Sequence, residues 1–141
     1  MVSQGSTDVF TAKFNSAGDL QWAEQAGGDG ENLNDNTGDV SYDIFVDGAR
    51  NVYICGKFIN TCLFSASVAL SSRTPGREDM FVAKYNRDGD LLWAKSGGGN
   101  QDDRAHALTS DGANNLYVTG YFMDNAQFGA LPLSTATPFQ P

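Results

Sequence analysis

The chain has 141 residues, which is long enough for one ordinary domain with a hydrophobic core. Apolar residues make up 40% and charged residues 18% of the chain, with 16 glycines, a composition that excludes disorder and indicates many tight turns. The net charge of −8 repels both a nucleic-acid duplex and an anionic membrane surface, so neither is expected as a partner.

The first ten residues, MVSQGSTDVF, contain neither the basic region nor the apolar region of a signal peptide. No apolar run approaches the ~20 residues that a membrane-spanning helix needs, so we expect no insertion into a membrane. If the protein is exported, we expect this chain to be a mature form or a piece of a longer protein.

The first predicted element is a hairpin that the chain writes twice. Residues 8–23 read DVFTAKFNSAGDLQWA and residues 79–94 read DMFVAKYNRDGDLLWA, with ten identities in 16 positions. Both copies begin with a strand that is apolar on its two faces, as expected of a strand between layers. Gly18 and Gly89 follow, where a hairpin turn needs a left-handed residue.

A second block also recurs, as DGARNVYICGKF at 47–58 and DGANNLYVTGYF at 111–122. The strand-like stretches SYDIFVD and AHALTSD precede these blocks. Each unit therefore reads as four short antiparallel strands, and no stretch has the apolar period of a helix. The first unit is longer because its loop at 27–39, GGDGENLNDNTGD, corresponds to the shorter GGGNQDD at 97–103.

This pattern resembles the β-propeller repeat of large extracellular bacterial proteins, often called the seven-bladed-propeller-type repeat. In the second unit the residues that carry the resemblance are Asp79, Phe81, Lys84, Asn86, Gly89, Leu91, Trp93, Gly98, Asp111, Gly112, Asn115, Tyr117, Gly120, Phe122, Phe128 and Gly129. In the first they are Asp8, Phe10, Lys13, Asn15, Gly18, Leu20, Trp22, Gly27, Asp47, Gly48, Asn51, Tyr53, Gly56, Phe58 and Phe64. The resemblance implies an all-β fold of antiparallel four-stranded blades, an extracellular or cell-surface location, and a structural, adhesive or binding role.

The chain is out of phase with such blades. It divides into an outer strand pair with an acidic loop at 1–40, a complete blade at 41–104, and an inner strand pair with a tail at 105–141. About two blade-equivalents cannot close a ring, which takes roughly four to eight blades. The expected partners are therefore flanking blades of a longer protein or copies of this chain, which would close a ring or form a filament. A smaller fold that satisfies its own edges is the third alternative, and the tail at 130–141 is either a final strand or a linker.

The aromatic residues that recur in both units are expected to form the repeat core. They are Trp22, Trp93, Phe10, Phe81, Tyr53 and Tyr117. Tyr42, Lys57 and Tyr121 have unlike counterparts in the other unit, so they mark either a surface where a glycan or a protein ligand would be recognised or positions at which the two copies have drifted apart.

The acidic loop offers a candidate calcium site. Asp29, Glu31, Asp35 and Asp39 supply carboxylates, and calcium takes six to eight oxygen ligands. The spacing is not that of an EF-hand, so a solvated surface insertion is the alternative. Asp102 and Asp103 occupy the analogous loop of the second unit.

Cys55 and Cys62 lie seven positions apart around an expected hairpin turn. They form either a cross-strand disulfide or two small buried thiols.

No catalytic residue is predicted. His106 is the only histidine, it lies on a predicted inner strand, and its counterpart is Tyr42. No nucleophile and base recur together, so an enzyme is the weakest hypothesis. A non-enzymatic structural or assembly element is expected, with a binding module for a glycan or protein, calcium-dependent in one version, as the alternative.

Overall fold

The computed structural model describes residues 7–28 and 38–136. Within these ranges the regular structure is entirely β, which confirms the all-β antiparallel prediction. The strands are β1 Val9–Phe14, β2 Leu20–Ala26, β3 Val40–Val46, β4 Val52–Ile59, β5 Thr61–Ser65, β6 Val68–Ser71, β7 Glu78–Tyr85, β8 Leu91–Gly99, β9 Arg104–Ser110, β10 Leu116–Tyr121, β11 Asn125–Phe128 and β12 Leu131–Ser134.

A central antiparallel sheet forms the middle of the molecule. Its strand order is β12-β11-β8-β7-β4-β3. The longest pairing joins β4 to β7, from Val52 opposite Tyr85 to Ile59 opposite Glu78. Every residue of β4 is buried, because apolar side chains occupy both of its faces.

Two strand pairs cover the two faces of the central sheet. Val52 and Ile54 of β4 point into a cluster that includes Val9 of the N-terminal pair, β1–β2. Tyr53, the residue between them, points into a second cluster with Leu108 of the C-terminal pair, β9–β10. Since neighbouring residues of a strand face opposite sides, the two pairs lie on opposite faces of the sheet.

The hairpin turns are built by side chains that both units share. Asn86 Oδ1 accepts hydrogen bonds from the backbone N–H groups of Asp88 and Asp90, both at 2.9 Å. Asn15 makes the same bonds in the first unit. Gly18 and Gly89 have φ of 87° and 96°, so the left-handed turn positions read from the sequence are present.

Each unit also contains a short hairpin that was not predicted as such. These are β5–β6 and β11–β12, and β12 lies in the tail, which favours the final-strand alternative there. Gly27 bridges to Leu63, and Gly98 pairs with Gln127 at the equivalent position. Each short hairpin therefore attaches to the end of the outer strand of its own repeat unit, β5–β6 to β2 and β11–β12 to β8.

Cys55 and Cys62 are free buried thiols in the structure rather than a disulfide. The two cysteines belong to the core clusters on opposite faces of the central sheet. The expected hairpin between them does not form, because β4 pairs with β3 and β7, while β5 pairs with β6.

The six aromatic residues expected in the repeat core divide into three groups. Phe81 and Tyr53 are buried, and Trp22 and Trp93 are half-buried against the two clusters. The remaining two, Phe10 and Tyr117, are 73% and 56% exposed, because they lie on terminal strand pairs whose outer faces have no layer against them within the described ranges.

Candidate interaction surface

The N-terminal pair presents an exposed apolar surface on the side away from the central sheet. We call Phe10, Phe14 and Leu20 the N-terminal apolar face, and their exposed fractions are 73%, 60% and 57%. Their equivalents in the second copy are 71 positions later, and there Phe81 and Tyr85 are 0% and 1% exposed. The same residue types in the same hairpin are therefore core in one copy and surface in the other.

The C-terminal pair also exposes apolar side chains. Tyr117, Val118 and Tyr121 of β10 are 56%, 38% and 39% exposed, and Tyr117 and Val118, as neighbours on the strand, lie on opposite faces of the pair. The equivalents of Tyr117 and Val118, 64 positions earlier, are Tyr53 and Ile54, which are 3% and 2% exposed. Apolar side chains that are exposed here and buried in their equivalents mark an interaction site.

The edges of the two terminal pairs are open as well. In the described part of the chain β1 pairs with β2 and β10 pairs with β9, each pair forming a two-stranded sheet of its own. Their equivalents, β7 and β4, are paired with each other along eight residues. An open edge presents backbone N–H and C=O groups to any strand that can pair with them.

A cavity of about 330 Å³ lies beside the open edge of β10. Its lining includes Met80, Gly120, Tyr121 and Phe128. Gly120 has no room for a side chain, because an added Cβ would be 1.9 Å from the backbone oxygen of Arg104. The cavity is therefore bounded by backbone at Gly120 and by the aromatic side chains of Tyr121 and Phe128.

Three aromatic rings stack where the inner strands of the two units meet. The rings of Tyr42 and His106 have centroids 4.9 Å apart, and those of His106 and Tyr121 are 5.6 Å apart. The guanidinium of Arg104 lies 5.7 Å from the Tyr121 ring. The structure thus brings together two of the residues predicted to mark a recognition surface, Tyr42 and Tyr121, and leaves both partly exposed.

Lys57, the third of those residues, is buried elsewhere. Its ammonium group donates to Glu78, which also accepts a hydrogen bond from Arg104. Burial raises the pKa of Glu78, but the hydrogen bonds from Arg104 and Lys57 outweigh burial and hold that pKa below its usual value. This network joins β4, β7 and β9, so it positions the C-terminal pair on the central sheet.

The predicted calcium ligands are only partly described. Asp29, Glu31 and Asp35 lie outside the described residues. Asp39 is buried, and its Oδ1 accepts a hydrogen bond from the backbone N–H of Ile59 at 3.1 Å. Its equivalent, Asp103, accepts from Gly99 and Met123. Across the described ranges, no group of three side chains is placed to hold a metal ion.

The cysteines are poorly suited to nucleophilic chemistry. Burial, with a smaller contribution from the charge of Asp43, raises the pKa of Cys55 to about 11. The pKa of Cys62 is raised as well, chiefly by burial. Both thiols are protonated at neutral pH, and the thiolate is the reactive form.

Sequence reasoning missed Gly120, Phe128, Glu78 and Arg104 as parts of this surface. The repeat contained a signal for the first two, since Gly56 and Phe64 occupy the equivalent positions. The ion network left no such signal, because Thr7, Tyr121 and Val40 stand at the positions equivalent to Glu78, Lys57 and Arg104.

No protein-family model matches the chain. The chain is 30% identical over 118 residues, or 83% of its length, to the protein named Regulatory protein FlaEY of Caulobacter vibrioides. It spans 12% of that protein's length, so the similarity concerns one segment of a much longer chain. Among the described residues no helix is long and apolar enough to cross a membrane.

Proposed function

We propose that this chain is a non-enzymatic structural element of an extracellular or cell-surface β-propeller-type protein, which completes its blades with neighbouring repeat units. In this proposal β3, β4, β7 and β8 are one complete blade. The terminal pairs are then the outer half of the preceding blade and the inner half of the following one.

The observation that carries the proposal is the contrast in burial between equivalent residues. Phe81 and Tyr53 are buried in the complete blade, whereas Phe10 and Tyr117 are exposed in the terminal pairs. Covering a large apolar side chain contributes about 1.5–3 kcal/mol, so a neighbouring repeat that supplies the missing layer would be strongly favoured. Similarity to a segment spanning 12% of a long relative fits a unit that works among other units.

The test is a tandem chain of two copies joined end to end. If the function is to complete blades, β10 of the first half and β1 of the second half form a new complete blade at the junction. We expect the midpoint of thermal unfolding to rise by on the order of 10 °C over that of the single chain. A tandem chain that unfolds at the temperature of the single chain would contradict the proposal.

A matched pair of variants locates the effect. Phe10→Asp in the second half of the tandem lies at the junction and should remove most of the gain in melting temperature. The same substitution in the first half has no unit before it and should leave the gain intact. Equal effects of the two substitutions would show that the junction is not the source of the stabilisation.

The aromatic stack supports a second candidate function, a binding module for a glycan. Tyr42, His106 and Tyr121 form a partly exposed apolar strip at positions where the two units differ. Aromatic side chains with polar neighbours can hold a sugar by its apolar face. Screening the chain and its Tyr121→Ala variant against a panel of oligosaccharides by calorimetry tests this: binding that requires Tyr121 supports it, and no binding by the native chain excludes it for the panel.

The calcium-dependent version of that function has a separate test. A cation that binds only the folded chain must raise its melting temperature. Unfolding in millimolar calcium and in chelator should therefore differ if the loop that contains Asp29, Glu31 and Asp35 holds calcium, and identical curves would exclude it.

A further inference from the structure

We propose that two copies of this chain associate head to tail, with β10 of one copy pairing with β1 of the next and Phe10 of the second copy filling the cavity beside Gly120 of the first. This inference rests on the proposed function and names the partner, the strand register and the side chain that anchors the contact.

The register follows from the pairing of β4 with β7 in the complete blade. In the central sheet Val52 lies opposite Tyr85 and Gly56 lies opposite Phe81. Moving β4 forward by 64 positions gives β10, and moving β7 back by 71 positions gives β1. The pairs between copies are then Leu116 with Phe14, Val118 with Ala12, and Gly120 with Phe10.

The packing that we propose for Phe10 already exists within the molecule at its equivalent, Phe81. The Phe81 ring lies against Gly56, where an added Cβ would be 2.9 Å from Phe81 Cε1. It also makes an edge-to-face contact with Phe64, with centroids 5.2 Å apart. Gly120 and Phe128 are the equivalents of Gly56 and Phe64, and both line the cavity of about 330 Å³ beside β10. The equivalent of Phe81 is Phe10, which is 73% exposed.

The opposite face of the new sheet is complementary too. In the complete blade the Tyr53 ring packs against Trp93, with centroids 6.2 Å apart. The Lys84 ammonium lies 4.9 Å from the centroid of the Tyr53 ring. The equivalent of Tyr53 is the exposed Tyr117 of the first copy. The equivalents of Trp93 and Lys84 are Trp22 and Lys13 of the second copy, which hydrogen bonds to the backbone oxygen of Arg87 already hold in place.

A second copy is the occupant we infer because one chain contains both halves of the contact. The open edge of β1 and the open edge of β10 belong to separate two-stranded sheets, so they do not pair within the molecule. A contact between two different surfaces of one chain leaves a free surface at each end. It therefore continues to a closed ring or to a filament, depending on the rotation between copies.

Disulfide trapping between two separate variants tests the register. When an Ala12→Cys chain is mixed with a Val118→Cys chain under mild oxidation, we expect a covalent dimer of the two variants. The control mixture, Thr11→Cys with Val118→Cys, should yield far less, because a shift of one residue places the side chains on opposite faces. The native thiols are 0% exposed and protonated, so they contribute little background.

The anchor is tested by Phe10→Ala. This residue is exposed in the single chain, so its replacement should leave the melting temperature of dilute protein unchanged. It should weaken self-association roughly tenfold to a hundredfold in sedimentation or light scattering. The control is Leu92→Ala, an apolar residue that is 51% exposed on β8 and should not change association. Gln21 is the equivalent of Leu92 on the N-terminal pair, and it stays exposed although the complete blade packs against that pair. Leu92 should therefore stay exposed when a second copy binds.

The outcomes separate this inference from the function on which it rests. Trapping at positions 12 and 118, together with loss of association in Phe10→Ala, supports the inference. Association without trapping at that pair overturns the register. A native chain that stays monomeric at millimolar concentration overturns the inference, and in that case a stabilised tandem chain would still support the proposed function. A tandem chain that is not stabilised would remove the proposed function itself.

Discussion

Asp79 and Asp103 are two carboxyl groups held in the interior close enough for their charges to interact. Their exposed fractions are 1% and 0%. Asp79 Oδ2 accepts a hydrogen bond from the backbone N–H of Arg73 at 3.0 Å, while its Oδ1 is buried without a hydrogen-bond partner. Burial raises the pKa of each group to about 6, and for Asp79 the nearby charge of Asp103 adds to the rise.

This pair makes stability depend on pH from about pH 7 down to about pH 4. Because the pKa of each group in the folded state is raised above 3.8, the folded chain binds protons more readily than the unfolded chain. The free energy of unfolding should therefore increase as pH falls from 7.5 to 5. Asp79→Asn should raise stability at pH 7.5 by about 1–3 kcal/mol and flatten the profile, as measured by urea unfolding.

Asp88→Asn is the control for that measurement, because the Asp88 side chain is exposed at the β7–β8 turn. A profile that is equally steep in Asp79→Asn and in the native chain would show that these carboxyls titrate normally.

Glu78 is the residue on which the attachment of the C-terminal pair to the central sheet depends. Its side chain is 5% exposed and lies between Lys57, which is 7% exposed, and Arg104. Glu78→Gln leaves the Lys57 ammonium buried without a counter-charge, so we expect a loss of about 3–5 kcal/mol in the free energy of unfolding. The comparison is Arg87→Ala, which breaks an exposed ion pair with Asp88 and should cost less than about 1 kcal/mol. Similar losses in the two variants would contradict the buried-network account.

At the scale of elements, the short hairpin of each repeat unit pairs with the end of that unit's outer strand. A glycine lies at each of these two contacts. A Cβ added at Gly99 would be 1.5 Å from the backbone oxygen of Asn125, and one at Gly28 would be 1.6 Å from that of Thr61. No side chain fits at either position, so glycine is required by the approach of the two backbones.

We predict that Gly99→Ala detaches β11–β12 from β8. Hydrogen exchange should become fast for amides in 125–134, while β4 and β7 stay protected. Gly112→Ala is the matched control, since nothing lies within 4 Å of a Cβ added there. Retained protection of 125–134 in Gly99→Ala would mean that the contact between β8 and β11 can accommodate a side chain at position 99.

At the scale of the whole molecule, the described residues form three layers, and among them only the inward face of each terminal pair is covered. Neighbouring residues of β1 show this directly. Val9 is 4% exposed and packs in the cluster against the central sheet, whereas Phe10 is 73% exposed on the other side. The molecule therefore has one buried and one open surface at each end of the stack.

The layered arrangement predicts opposite results for these neighbours. At concentrations where the chain is monomeric, Val9→Ala should lower the free energy of unfolding by about 1–2 kcal/mol through the cavity that it leaves. Phe10→Ala should change it by less than about 0.5 kcal/mol, although it removes the larger side chain. Urea unfolding of the two variants checks this, and a larger loss for Phe10→Ala would show that β1 packs the other way round.

The sequence by itself determined the strands and turns that occur in both units. Local rules suffice there: an apolar strand such as VFTAKF or MFVAKY, followed by an asparagine and a glycine, specifies a hairpin whatever surrounds it. The short strands β5 and β11 were missed because four or five residues with a mixed pattern carry little periodic signal.

Only the tertiary structure decided which repeated residues are core and which are surface. Phe10 and Phe81 have the same type and the same local pattern, and they differ because a second layer covers one and not the other. The packing of layers also decides the state of Cys55 and Cys62. It places the two cysteines in core clusters on opposite faces of the central sheet, so they remain free thiols. Burial is a property of the neighbouring layer, and an amino-acid pattern in one hairpin contains no record of whether that neighbour is present.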